Sequence, residues 1–272
     1  MQQNTHHIKK RLGQNFLINT GIVEKIGASG NLDDNTCVLE IGAGKGILTE
    51  QLLKYAKKIV AVEIDRELVE ILNKTFIDNS KVVILHADIL KVDLCELVAE
   101  HFKDQKIVVY GNLPYYITSS IVMKLLESRI PFQSIVVMVQ KETAIRFTAP
   151  EGSRDAGAVT MAIHYYSKPH FLFEVSSGSF YPRPKVQSAV IRLDILETPS
   201  VSPKDEALLL RLIKVAFMQR RKTAVNAISA GLPMSKEKII ETFNQCKIDL
   251  LSRAEQLTLA DFTLIADEIS NS

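Results

Sequence analysis

Asn112-Leu113-Pro114-Tyr115 follows directly on the apolar run Lys106-Ile107-Val108-Val109-Tyr110. A corner of this kind at a strand end offers a side-chain carbonyl, a backbone carbonyl and a flat ring close together. Pro114 restricts Leu113 to an extended conformation and so fixes the direction of the Leu113 carbonyl. The chemistry this suits is attack by the amino group of a planar base. Such an amine is a poor nucleophile because its lone pair is delocalised into the ring. If the Asn112 side-chain oxygen and the Leu113 carbonyl each accept one amine hydrogen, a pyramidal nitrogen is favoured. Tyr115 would stack on the base face, as in enzymes that act on extruded bases. A strand-end turn with a buried tyrosine has the same residues.

A second cluster, Glu40-Ile41-Gly42-Ala43-Gly44-Lys45-Gly46, closes another strand-like run and opens a helical pattern. Glycines there let backbone approach a ligand closely. A dinucleotide fingerprint needs Gly or Ala where Ile47 stands, and a phosphate-binding loop needs Ser or Thr where Gly46 stands. The turn, through Gly42 and Gly44, better suits a ligand with a carboxylate and no pyrophosphate, such as S-adenosylmethionine; a tight turn without ligand is the alternative. Glu63 ends the next apolar run, placed to accept from ribose hydroxyls, and Asp88 follows a third, placed to accept from an adenine amine.

The elements that must position these residues alternate. Strands are expected at Thr36–Ile41, Lys58–Ile64, Lys81–His86, Lys106–Tyr110 and Ile135–Gln140, and helices at Ile47–Tyr55, Arg66–Phe76, around Leu94–Phe102 and at Ser119–Leu126. Such alternation implies a parallel sheet with crossover helices. Phe171–Val175 and Ser188–Asp194 would add a terminal antiparallel hairpin. Composition changes at Thr198-Pro199-Ser200-Val201-Ser202-Pro203, which marks a boundary between residues 1–198 and a helical domain, residues 199–272. Its first helix is expected to take Ser202 as N-cap, Pro203 as first residue and Asp205 as third, and two more helices to start at Ser235 and Thr258.

Longer motifs tie these features together. Lys10-Arg11-Leu12-Gly13-Gln14-Asn15-Phe16-Leu17, Gln140-Lys141-Glu142, Phe180-Tyr181-Pro182-Arg183-Pro184-Lys185-Val186-Gln187-Ser188-Ala189-Val190, Arg220-Arg221-Lys222-Thr223 and Arg253-Ala254-Glu255 occur in order around these residues. In these motifs, and over nearly its whole length, the chain resembles the bacterial small-subunit ribosomal RNA adenine dimethyltransferases, which are class I S-adenosylmethionine-dependent methyltransferases. It departs from their pattern at Asp155–Thr160 and at Ala224-Val225. The resemblance implies an α/β fold, a Rossmann-like, seven-stranded, mostly parallel sheet with a small all-α C-terminal domain. It implies that Asn15, Leu17, Gly42, Glu63, Asp88 and Asn112 contact S-adenosylmethionine, and that Phe180 forms the wall of the base slot opposite Tyr115. The implied substrate is a pair of adjacent adenosines in a hairpin loop near the 3′ end of 16S ribosomal RNA, in an immature small subunit. Two rival readings are a relative that methylates large-subunit RNA and confers antibiotic resistance, and an assembly factor whose binding outweighs its methylation. Leu113 and the Arg-Arg-Lys-Thr run favour the small-subunit branch.

Charge and composition are consistent with that substrate. The net charge is only +2, so affinity for RNA must come from local clusters. Arg211, Lys214, Arg220, Arg221 and Lys222 form one with no intervening acid, and Lys9-Lys10-Arg11 another. Lys9, Lys10, Arg11, Arg220, Arg221 and Lys222 are the expected phosphate contacts. Cys37, Cys95 and Cys246 are far apart and lack metal-ligand spacing. No metal is expected, and no segment has the length and apolarity of a membrane span. A monomeric cytoplasmic protein is expected.

Overall fold

The computed structural model describes Lys9 and Gly13–Asn271. The chain opens with β1 (Phe16–Leu17), α1 (Thr20–Ala28), β2 (Thr36–Ile41), α2 (Ile47–Leu52) and β3 (Lys58–Glu63). It continues through α3 (Arg66–Thr75), β4 (Val82–His86), α4 (Leu94–His101), β5 (Lys106–Asn112), α5 (Thr118–Glu127) and β6 (Ser134–Gln140). Then come α6 (Lys141–Phe147), α7 (Ala158–Tyr166), β7 (Ser167–Val175), β8 (Phe180–Tyr181) and β9 (Ser188–Ile195). The C-terminal helices are α8 (Glu206–Met218), α9 (Ala224–Gly231), α10 (Lys236–Gln245) and α11 (Leu259–Ser270).

Seven strands form one sheet in the order β4-β3-β2-β5-β6-β9-β7, and β1 and β8 form a separate ribbon. β2 pairs in parallel with both β3 and β5, while β9 returns antiparallel to β6. The expected mostly parallel sheet is therefore present. All six residues of β2 are buried, as are Ile107–Gly111 of β5. Central strands covered on both faces need such near-continuous apolar runs. The strand order reverses between β2 and β5, and a crevice opens at the carboxyl ends of the strands where such a reversal occurs.

Tyr110 joins this sheet to α1. Its side chain is fully buried, and its hydroxyl donates to the Gly27 carbonyl at 2.8 Å. Gly30 has to be a glycine here, because a Cβ would overlap the Tyr110 hydroxyl and lie 2.8 Å from its Cζ and 3.0 Å from Val108 Cγ1.

The chain divides into two compact units, one ending at Ala144 and resuming over His170–Ile195, the other made of Ile145–Pro169 and Leu196–Ser272. The break in composition falls close to Ile195, but the helical unit also takes in Ile145–Pro169, a segment that a boundary at residue 198 assigns to the sheet. The reason is α7, which buries Thr160, Met161, Ala162, Ile163, Tyr165 and Tyr166 and packs on α8 and α11. The first helix of this unit also begins later than its sequence suggests. Asp205, with φ −130° and ψ 102°, is extended and caps α8 by accepting from the Leu208 N–H at 2.9 Å. Ser202 and Pro203 lie outside it. Ser235 and Thr258 cap α10 and α11 as expected, the latter in a reciprocal box with Asp261. Among the described residues no helix is long and apolar enough to cross a membrane.

Replacement of Gly30 by Ala is expected to destabilise the sheet unit by about 1–3 kcal/mol, the usual cost of overpacking a core, measured as a drop in urea midpoint at unchanged slope.

Candidate active site

One cleft at the carboxyl edge of the sheet gathers most of the residues whose types and spacing suggest chemistry. Asn15, Leu17, Gly42, Gly44, Glu63 and Asp88 line it together with Asn112, Leu113, Pro114 and Tyr115. The Gly-rich turn has positive φ at Gly42 (74°), Gly44 (60°) and Gly46 (84°), values that favour glycine. Gly46 is also pressed from behind, since a Cβ there would come within 2.9 Å of Leu72 and Phe76.

Glu63 braces the turn. One of its carboxylate oxygens accepts from the Gly44 N–H and the other from the Asp65 N–H, both at 2.9 Å. Each carboxylate oxygen has a second lone pair, so Glu63 can hold the turn and still accept from a ligand hydroxyl. Asp88 is similarly half occupied, with one oxygen accepting from the Leu90 N–H at 3.0 Å.

On the opposite side, the Asn112 Nδ2 donates to the Asn15 carbonyl at 3.1 Å. This bond orients the amide and gives Oδ1 the acceptor role. The Pro114 carbonyl accepts from the Ile117 N–H at 3.2 Å and the Thr118 hydroxyl at 3.1 Å, which closes the corner into the start of α5. The Leu113 N–H donates to the Met138 carbonyl of β6 at 3.2 Å.

Two expected roles fall on side chains that the fold already engages. Phe180 is 4% exposed and packs in the hydrophobic core with Leu17, Ile26 and Val175, of which Leu17 and Ile26 also line the cleft. Alternation along β8 sets the direction of its ring. Leu17 of β1 pairs with Phe180, which points inward, and Tyr181 points out at 62% exposure. Lys9 does not stand as an open cation for phosphate. Its ammonium lies 2.6 Å from Asp65 and 2.9 Å from Glu67, and hydrogen bonds to these two acids raise its pKa. Lys10 and Arg11 lie outside the described residues. Arg220, Arg221 and Lys222 are exposed on the turn between α8 and α9, and the Arg220 guanidinium donates to the Arg154 carbonyl at 3.0 Å.

Three contacts have no signal in the sequence strong enough to find them. Gln14 donates to the buried Asp65 carboxylate at 2.8 Å, which together with Lys9 ties the Gly13–Leu17 strap beside the cleft. The Tyr115 hydroxyl meets the Ser188 hydroxyl of β9. Glu40 is buried under the turn and accepts from the Thr49 hydroxyl at 2.6 Å. Burial pushes its carboxyl up to about 7; the Thr49 bond opposes this rise and the nearby Glu63 charge adds to it.

The sequence matches the ribosomal RNA adenine dimethylase family over residues 5–271. The chain belongs to that family. It is 42% identical to the ribosomal RNA small subunit methyltransferase A of Alkaliphilus metalliredigens, over 96% of this chain and 91% of that one. Among solved structures, a dimethyladenosine transferase from Plasmodium falciparum matches with a TM-score of 0.78 at 25% identity, covering 94% of this chain and 98% of the other. The 23S rRNA methyltransferase ErmE shares the fold, with a TM-score of 0.72 at 21% identity over 94% of this chain and all of that one.

As a member of this family the protein is an S-adenosylmethionine-dependent ribosomal RNA adenine dimethyltransferase, and the cleft fits that methyl donor. Glu63 and Asp88 line the cleft with carboxylates, and Leu17, Ile64 and Ile89 give it apolar walls.

The buried Glu40 gives the dimethylase a testable pH dependence. Between the ordinary 4.5 and about 7 the folded protein retains a proton that the unfolded chain releases. This contribution to stability is complete below the lower value and is lost as pH rises through the upper one. Glu40→Gln keeps an acceptor for Thr49 and removes the charge. It is expected to be more stable than the wild type at pH 8 by roughly 3 kcal/mol, with the difference vanishing below pH 5, as read from urea midpoints.

Proposed function

We propose that this dimethylase transfers methyl groups to the N6 amines of two adjacent adenosines in a hairpin loop near the 3′ end of 16S ribosomal RNA. It would act as a monomer in the cytoplasm, on an immature small subunit, and would release S-adenosylhomocysteine. The observation that carries the reading is the pair of acceptors at Asn112 and Leu113 on the same cleft as the glycine turn, with the Asn112 amide oriented by Asn15. The choice of subunit is supported by the small-subunit name of the relative that shares 42% of its residues.

S-adenosylmethionine supplies an electrophilic sulfonium methyl when bound. Asn15, Leu17, Gly42, Gly44, Glu63 and Asp88 hold the donor in this reading. Asn112 Oδ1 and the Leu113 carbonyl accept the hydrogens of the target amine and draw its lone pair out of conjugation with the ring. Their positions are set before substrate arrives, so little reorganisation opposes the attack. Pro114 keeps the corner rigid, and Tyr115 stacks on the base. A strong base is unnecessary, because the amine becomes acidic as the new bond forms and gives its proton to water. The step is then repeated once on the same nitrogen. Arg220, Arg221 and Lys222 bind phosphates and so position the RNA without reading its sequence.

Three experiments test this. With labelled methyl donor and unmodified small subunits, large-subunit RNA or DNA, label is expected as dimethyladenosine in small subunits alone; label in large-subunit RNA would favour the antibiotic-resistance reading. Asn112→Ala is expected to lower turnover at least about a hundredfold, the order lost with a preorganised polar group, while S-adenosylmethionine still binds by calorimetry. Unchanged turnover would overturn the assigned role. Replacing Arg220, Arg221 and Lys222 together by Ala is expected to raise KM for the subunit. The salt dependence of binding should fall by roughly one unit of slope for each phosphate no longer neutralised.

A further inference from the structure

The Tyr115 hydroxyl lies 2.8 Å from Ser188 Oγ, across 73 residues of sequence. Ser188 is fully buried at the first position of β9, opposite Gln140 at the end of β6. The antiparallel return of β9 therefore brings its first side chain to the same edge of the sheet as the Asn112 corner. Tyr115 lines the cleft and is half-buried.

Packing alone gives no reason for a hydroxyl at position 188, where Ala189, Val190 and Ile191 follow as fully buried apolar residues. A buried hydroxyl is costly unless it is bonded, and this one is bonded to the ring that faces the cleft. The geometry of a phenol makes that bond directional. Its oxygen lies at the tip of the ring, and its O–H and lone pairs favour the ring plane. A partner fixed in a β-ladder therefore anchors the tip and favours one plane.

We infer that Ser188 is a positioning residue for the target base, holding the Tyr115 ring in the orientation on which the base stacks. This rests on the reading of the cleft as a site of adenine methylation. Burial raises the Tyr115 pKa, with the Ser188 bond acting in the opposite direction, so the phenol keeps its proton at neutral pH and the pair persists. Tyr115 then serves as an oriented surface and takes no part in proton transfer.

The test is a double-mutant cycle on full-length protein with unmodified small subunits, using Tyr115→Phe and Ser188→Ala. Each single variant is expected to lower kcat roughly tenfold, an effect of misplacing a reacting group. The double variant is expected to fall no further than either single one. S-adenosylmethionine affinity and the KM for the subunit should stay within about twofold of wild type. Multiplying losses in the double variant would overturn the inference, as would a Tyr115→Phe enzyme with wild-type kcat. If Ser188→Ala does not fold, Tyr115→Phe alone still decides, because it keeps the ring and removes the other half of the bond. Wild-type protein that leaves adenine unmodified would instead defeat the reading of the cleft, and the inference with it.

Discussion

Ile41 on β2 stands opposite Gly111 on β5, and this register decides where both halves of the cleft fall. The next residues, Gly42 and Asn112, emerge side by side, and a Cβ on Gly42 would stand only 3.7 Å from the Asn112 carbonyl oxygen. The donor turn and the acceptor corner are thus products of one strand pair. A slip of one residue would send each side chain of β5 to the opposite face and take Asn112 from the cleft. The register is held by burial on both faces and by the Tyr110 hydroxyl bonded to Gly27 of α1.

Around that pair the backbone and the acids support one another. Glu63 accepts from backbone on both oxygens, so the acid proposed to hold a ribose also shapes the turn in front of it. Beneath it Glu40 is buried and bonded to Thr49 of α2, and its carboxyl is pushed toward neutrality. Two carboxyl groups so near each other are tolerable because one can keep its proton. The glycines of the turn have conformations that other residues would strain, and two of them, Gly42 and Gly44, line the cleft.

The parts of this arrangement that can be read from sequence are those with short-range signatures. Runs such as Ile59-Val60-Ala61-Val62 and Ile135-Val136-Val137-Met138 announce buried strands, and the Gly-rich and Asn-x-Pro-Tyr corners announce their ends. The β1–β8 ribbon has only two residues in each strand and no period to detect. Helix α7 is apolar on nearly every side, so no stripe distinguishes it, and its place in the helical unit follows from packing. Phe180 shows the same limit at one residue. Its motif marks it as a wall of the base slot, and nothing in that motif announces its pairing with Leu17 or its packing in the core. Lys9 resembles a free basic residue until folding brings Asp65 to it, 56 positions away.

Asp65 does two jobs with one carboxylate: it caps α3 through the Glu67 N–H, and it holds Lys9 and Gln14. Its backbone N–H also donates to Glu63, at the rim of the donor turn. The strap and the Glu63 side of the cleft are consequently joined through one residue. A substitution that released Lys9 or Gln14 from Asp65 would therefore pass through a single residue to Glu63 and the glycine turn that it braces.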